Sequence, residues 1–434
     1  MLLALLTLAC GSAPAVDRGG QPIADAGTVG ADAGAPDAGA PDAGPFDPSY
    51  PAARPSPPQV SSLGGAVMGS PHIVAVFFPN DTAKEVVHIQ QFLQALPGSD
   101  YWTQTVGEYG VGPIDGVELI RLADAAPASL EDSPSSAVPG DRSHTQLQHW
   151  LVGQISAGNL PAAAPRNLYI VFFPASSKVN IDPSVVSCAH VGGWHMETTS
   201  GSERVRYAVV PRCKGNSPGM TTEDIATDVA SHELVEAATD PLPFSDPAYA
   251  QLDDAHAYLG DVLLNELGDL CTSEPGSSTN KLPGMPYMVQ RTWSNQSIAS
   301  GRDPCVPELP GEIYFSAVPE LPDVVTYFGR FDSNDVRAVK VPIGHTVTIP
   351  LDLYSSRPLS TPWHVEALDL ETYQGSSGSA LTFSLDKSTG LNGDHLQLTI
   401  GTKADASTGS HAFVVLSTLG GAQHTAWGLV NITW

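Results

Sequence analysis

Hydrophobic positions follow different rhythms along the chain, and each rhythm predicts a different kind of structure. Near-continuous apolar runs of strand length stand at His72-Ile73-Val74-Ala75-Val76-Phe77-Phe78 and Asn167-Leu168-Tyr169-Ile170-Val171-Phe172-Phe173. Such runs mark strands covered on both faces. Tyr207-Ala208-Val209-Val210 is a further strand. Between the first two, apolar residues recur near helical spacing from Ala83 to Leu96, closed by Pro97-Gly98, and again from Thr145 to Ile155. Strand, helix, helix, strand predicts an α/β arrangement with a central sheet for residues 64–307. From 311 to 434 the rhythm shortens. Alternating runs such as Thr346–Ile349, Trp363–Ala367, Leu396–Ile400, His411–Leu416 and Trp427–Val430 are separated by Gly, Asn, Ser and Thr clusters. That spacing predicts an all-β, immunoglobulin-like sandwich.

The first residues carry no such pattern. Residues 1–9 are a short apolar run suited to a signal peptide, and Leu8-Ala9-Cys10 resembles a bacterial lipobox in which Cys10 is lipidated. Cleavage after Ala13-Pro14-Ala15 is the alternative. Within residues 10–58 the unit Asp-Ala-Gly-Ala-Pro repeats from Asp32. It has no large apolar side chain to bury, so a disordered tether is expected.

One segment reads as an active site. A helix is expected from Thr221, whose hydroxyl can cap while Asp224 returns the bond, to just before Pro241. At 100° per residue, His232 and Glu236 fall on the face that Ile225 and Val229 turn inward. A buried carboxylate needs a cation, and a divalent metal shared with His232 would supply one. The spacing is that of the H-E-x-x-H zinc-peptidase helix with its second His replaced by Glu, and Glu233 stands where the general base belongs. Glu266 and Asp269 are candidates for the third ligand. Zinc is the first candidate and another divalent metal the second, because one imidazole and two carboxylates is an oxygen-rich set. A core His–Glu pair and a purely structural metal remain open on pattern alone.

Ser231-His232-Glu233-Leu234-Val235-Glu236-Ala237-Ala238-Thr239-Asp240-Pro241, Glu266-Leu267-Gly268-Asp269-Leu270-Cys271 and Tyr287-Met288-Val289-Gln290-Arg291-Thr292-Trp293-Ser294-Asn295 together resemble the exordium (phosphate-induced protein) family and its microbial secreted relatives. Pro97–Trp102 and Cys188-Ala189-His190 add to the likeness, which covers roughly residues 70–307. The resemblance implies an extracellular protein with a zincin-like core. The expected fold class is therefore an α/β zincin-like domain plus a C-terminal all-β immunoglobulin-like sandwich.

Composition narrows the partners. Acids outnumber bases 46 to 20 over 434 residues, a net charge of −26, which argues against nucleic acid. No run of 18 apolar residues occurs, so a membrane is expected only through a lipid anchor. With Cys10 set aside, Cys188, Cys213, Cys271 and Cys305 suit two disulfides in an oxidising space. Three pairings are open, and sequence neighbours favour Cys188–Cys213 and Cys271–Cys305. The functional expectation is a surface lipoprotein, or a secreted protein, with a zinc-dependent peptidase-like activity on a protein or peptide substrate. A non-catalytic adhesion protein is the alternative, and the sandwich, with Trp363 and Trp427, is the candidate for cell-wall or carbohydrate contact.

Overall fold

The computed structural model describes residues 50–434 apart from 82, 139, 142, 215–218, 330–332 and 377. The leader, Cys10 and the repeats as far as residue 49 lie outside the described residues.

Five strands, β1 (His72–Phe77), β2 (Gly116–Arg121), β3 (Asn167–Phe173), β4 (Trp194–Ser200) and β5 (Glu203–Pro211), form one sheet in the order β2-β1-β3-β5-β4. Neighbours run parallel except β4, which lies antiparallel on the edge beside β5. Every residue of β3 is buried, as a strand covered on both faces requires. Helices α1 (Ala83–Ala95), α2 (Asp100–Val106) and α4 (Thr222–Thr239) pack with Ile73, Ala75 and Phe77 on one face; α3 (Gln146–Ser156) packs with Val74 and Val76 on the other.

Helix α4 starts where its caps dictate. Thr221 Oγ1 accepts the Asp224 N–H at 3.2 Å, and Asp224 Oδ2 accepts the Thr221 N–H at 2.9 Å. Pro241 follows its last turn. Between these ends the helix is buried on almost every side, between β5, α1, α2 and the short strand Val289–Gln290.

The C-terminal half is a β-sandwich. Strands β6 (Phe315–Pro319), β7 (Asp323–Phe328), β8 (Ser333–Pro342), β9 (Thr346–Ser355), β10 (Trp363–Asp369), β11 (Leu381–Leu385), β12 (His395–Thr402), β13 (Gly409–Leu419) and β14 (Ala422–Thr433) divide between two sheets. One has the order β6-β9-β12-β11; the other has β7-β8-β14-β13-β10, with Thr389–Gly390 at its edge. Inward residues including Phe315, Leu351, Trp363, Leu398 and Phe413 fill the space between them. The β8–β14 pair is parallel, while the other strand pairs of the sandwich are antiparallel.

The expected fold class needs correction. Strand outweighs helix, 35% against 20%, and the strands are spread over many separate sheets. The chain is mainly β, not an α/β zincin. The expectation grew from the strand–helix alternation of residues 64–307 together with the helix motif and the family resemblance, but α4 has 18 residues while β13 and β14 alone have 11 and 12. The stretch after α4 adds two-residue strand pairs and helices of only four or five residues.

Residues 50–58, assigned from sequence to the tether, lie against the folded chain. Arg54 donates to the carbonyls of Ile298 and Ala299 at 2.7 and 2.9 Å and sits 4.5 Å over the Tyr354 ring. The Ala52 N–H donates to Asn392 at 3.1 Å. This strap borders a cavity of about 610 Å³ between the two halves, lined also by Tyr258, Trp293, Tyr314 and Trp427. Tyr314, Val336, Tyr354 and Leu429 of the sandwich belong to the same core as α4, so the halves share buried surface.

Candidate metal centre

His232, Glu233 and Glu236 all lie on α4, and their side chains converge. His232 Nε2 is 2.9 Å from Glu236 Oε2 and 3.7 Å from Asp269 Oδ1. The other Glu236 oxygen accepts the N–H groups of Gly268 and Asp269, both at 3.1 Å. Gly268 is needed there, because a Cβ would come within 2.8 Å of His232 and Glu236. The Cys271–Cys305 disulfide staples this segment close to Asp269.

Gln290 fixes the imidazole from behind. Its Nε2 donates to the Gly268 carbonyl at 2.6 Å, so its Oε1 faces His232 Nδ1, at 2.9 Å, as an acceptor. Its own N–H donates to Ser231 at 2.9 Å. Nδ1 thereby donates to Gln290, and Nε2 faces the carboxylates. This is the arrangement that orients a metal-ligating histidine.

A second imidazole enters from the sheet edge. His195 on β4 places Nδ1 3.7 Å from Glu233 Oε2 and 3.8 Å from Glu236 Oε2, and Nε2 3.7 Å from Glu266 Oε1. Asp240, one turn beyond Glu236, joins from the end of α4. Its Oδ1 accepts the Ala248 N–H at 2.7 Å. Donor atoms of three trios each lie within 4.8 Å of one another: His232, Glu236 and Asp269; His195, Glu233 and Glu236; His195, Asp240 and Glu266.

Five carboxylates and two imidazoles thus share a mostly buried space. Among the described residues no Lys or Arg forms an ion pair with any of the five. Burial, with Glu266 and Glu233 alongside, pushes Glu236 well above the ordinary carboxylate range, and burial with Glu236 does the same to Asp269. Asp240 is raised to about 6 by burial. Burial works to lower the pKa of His195, but Glu266, Glu233 and Glu236 outweigh it and raise it to about 10. Burial and the crowding of carboxylates set these directions.

Of the residues singled out from sequence, His232, Glu233, Glu236, Glu266 and Asp269 all reach this cluster. Asp269 closes the trio around His232 and Glu236, whereas Glu266 faces His195 and Asp240. His195, which with His190 flanks Gly192-Gly193-Trp194 and reads from sequence as a transition-state donor near the cleft, and Asp240 were missed as ligands. Asp240 carried a signal, since 232, 236 and 240 follow one another at four-residue spacing. His190 stays in its own loop, accepting the Val186 N–H. Cys188–Cys213 and Cys271–Cys305 are the disulfides formed. Trp363 is buried in the sandwich core, and Trp427 packs against Tyr373 at 5.8 Å beside the cavity between the halves.

No family model matches the chain, and no curated protein matches it. Among solved structures it is similar to domains 4 and 5 of the S-layer protein SbsC, with 17% identity over 27% of this chain and 54% of that one, at a TM-score of 0.17. The titin M3 domain matches at 10% identity over 28% of this chain and 97% of that one, again with a TM-score of 0.17. The twitchin kinase region of C. elegans matches at 14% identity over 28% of this chain and 16% of that one, at 0.17. The chain thus spans about half of the SbsC fragment. Among the described residues no helix is long and apolar enough to cross a membrane. The two disulfides mark an extracellular chain, folded where thiols oxidise.

Proposed function

We propose that the protein is a metal-dependent hydrolase of peptide bonds, with a divalent cation, zinc first among the candidates, held by His232, Glu236 and Asp269. The observation that carries this reading is the backed imidazole. His232 gives Nδ1 to Gln290 and turns Nε2 on two carboxylates that, among the described residues, pair with no Lys or Arg. The donor set fits such an ion. Ligand atoms around a tetrahedral zinc stand about 3.4 Å apart, and those of His232 lie 2.9 and 3.7 Å from the carboxylate oxygens. A cation bound there would polarise a carbonyl and make a neighbouring water more acidic.

The protein side of the chemistry falls to Glu233. Its Oε2 is buried without a hydrogen-bond partner and faces the same opening as Glu236. A carboxylate so placed can take a proton from an attacking water and return it to the leaving amine. His195, 3.7 Å away, can steady the charge that this exchange leaves behind. Solvent reaches the cluster along His232, Asp269 and Glu266, whose side chains are 15, 17 and 22% exposed. Lipidation at Cys10 would hold the enzyme at a surface, with the repeats as spacer.

The test is twofold. Elemental analysis of the purified protein should find a stoichiometric metal that His232→Ala loses. Hydrolysis of a denatured protein substrate should fall about 10²- to 10⁴-fold in Glu233→Gln while the metal stays bound. Undiminished hydrolysis in Glu233→Gln would show that the base has been misassigned.

A further inference from the structure

We infer that the centre takes two divalent cations, the second held by His195, Asp240 and Glu266. The inference rests on the reading of the first site given above. His195 Nε2 and Asp240 Oδ2 are both buried and lack a hydrogen-bond partner. They belong to residues 8% and 0% exposed. A buried polar atom left unpaired carries the full cost of its lost hydration, and here two such atoms of complementary ligand type face one place. Glu266 Oε1 completes the trio, 3.7 Å from His195 Nε2.

This trio shares no residue with His232, Glu236 and Asp269, yet it repeats their composition of one imidazole and two carboxylates. Both trios draw on α4, which carries His232 and Glu236 at successive turns and ends at its C-cap residue Asp240. The rest come from β4 and from the loop before the Cys271 disulfide, elements whose positions are fixed by the sheet and by the staple. Among the described residues no Lys or Arg forms an ion pair with any of the carboxylates of the two trios. Paired cations of this kind clamp the two oxygens that exchange in a displacement reaction, which deepens the hydrolase reading: the substrate would bridge both ions.

The full-length protein, stripped with chelator and reloaded with zinc chloride, should retain two zinc ions per chain after dialysis. Asp240→Asn, which keeps the acceptor for Ala248, and Glu266→Gln, on a partly exposed side chain, should each retain one. His232→Ala should also retain one, lost from the other trio. Loading with manganese should give an exchange-coupled electron paramagnetic resonance signal that either variant abolishes. One ion in the wild type would overturn the second site and leave the hydrolase proposal standing. None would overturn both. Two ions persisting in both Asp240→Asn and Glu266→Gln would place the second ion elsewhere and refute this assignment. If Asp240→Asn fails to fold, the count in Glu266→Gln decides.

Discussion

Gln290 illustrates how much of this chemistry depends on side chains outside the ligand trios. Its side-chain amide donates to the Gly268 carbonyl and its backbone N–H to the Ser231 hydroxyl, so it presents a fixed oxygen to His232. Replacing such a partner commonly weakens metal affinity about 10- to 100-fold. Gln290→Ala should do so in a chelator competition. At this scale the sequence was legible only within one helix. His232, Glu233 and Glu236 share a local spacing that reveals a common face. His195 shows no ligand spacing, because its part follows from β4 lying antiparallel against β5, a pairing with no linear trace. Asp240 stands next to Pro241, and that neighbour made it read as a helix terminator.

Among elements, α4 and the 266–271 loop work as a unit. Thr221→Ala removes the hydroxyl cap of α4 and should cost about 1 kcal/mol in denaturant unfolding. Metal affinity should barely change, since the cap is far along the helix from His232. Gly268→Ala should behave in the opposite way, as its Cβ would press on His232 and Glu236. The expected outcome is lost metal with a melting temperature changed by only a few degrees. Serine at both Cys271 and Cys305 opens a 34-residue loop and should cost about 3 kcal/mol. The buried strands and the alternating sandwich strands were readable because the covering of their faces is written in their side chains. The balance of the fold was not. The segment from 240 to 310 folds through two-residue strand pairs and short turns held by long-range hydrogen bonds, and these leave no periodic pattern.

For the molecule as a whole the junction between the halves decides stability. Glu274, which accepts a hydrogen bond from the Thr425 hydroxyl, lies there, and burial raises its pKa from 4.5 to about 7. The folded chain therefore binds a proton that the unfolded chain releases. Its contribution is fully present below pH 4.5 and is lost as the pH rises through 7. Melting curves should show the wild type losing up to about 3 kcal/mol across that window relative to Glu274→Gln. Arg54→Ala, which removes two hydrogen bonds and the stacking on Tyr354, should loosen the strap and expose residues 50–58 to limited proteolysis. The position of that strap also governs how the protein can be shortened. A truncation beginning at Gly64 would look natural from composition, since it discards only a proline-rich leader. It would also uncover the aromatic walls around Tyr354 and Trp293 and strip the Asn295 and Asp253 side chains of their bonds to Val60 and Gln59. A recombinant fragment trimmed there should aggregate, and the safe starting residue is Tyr50 or earlier.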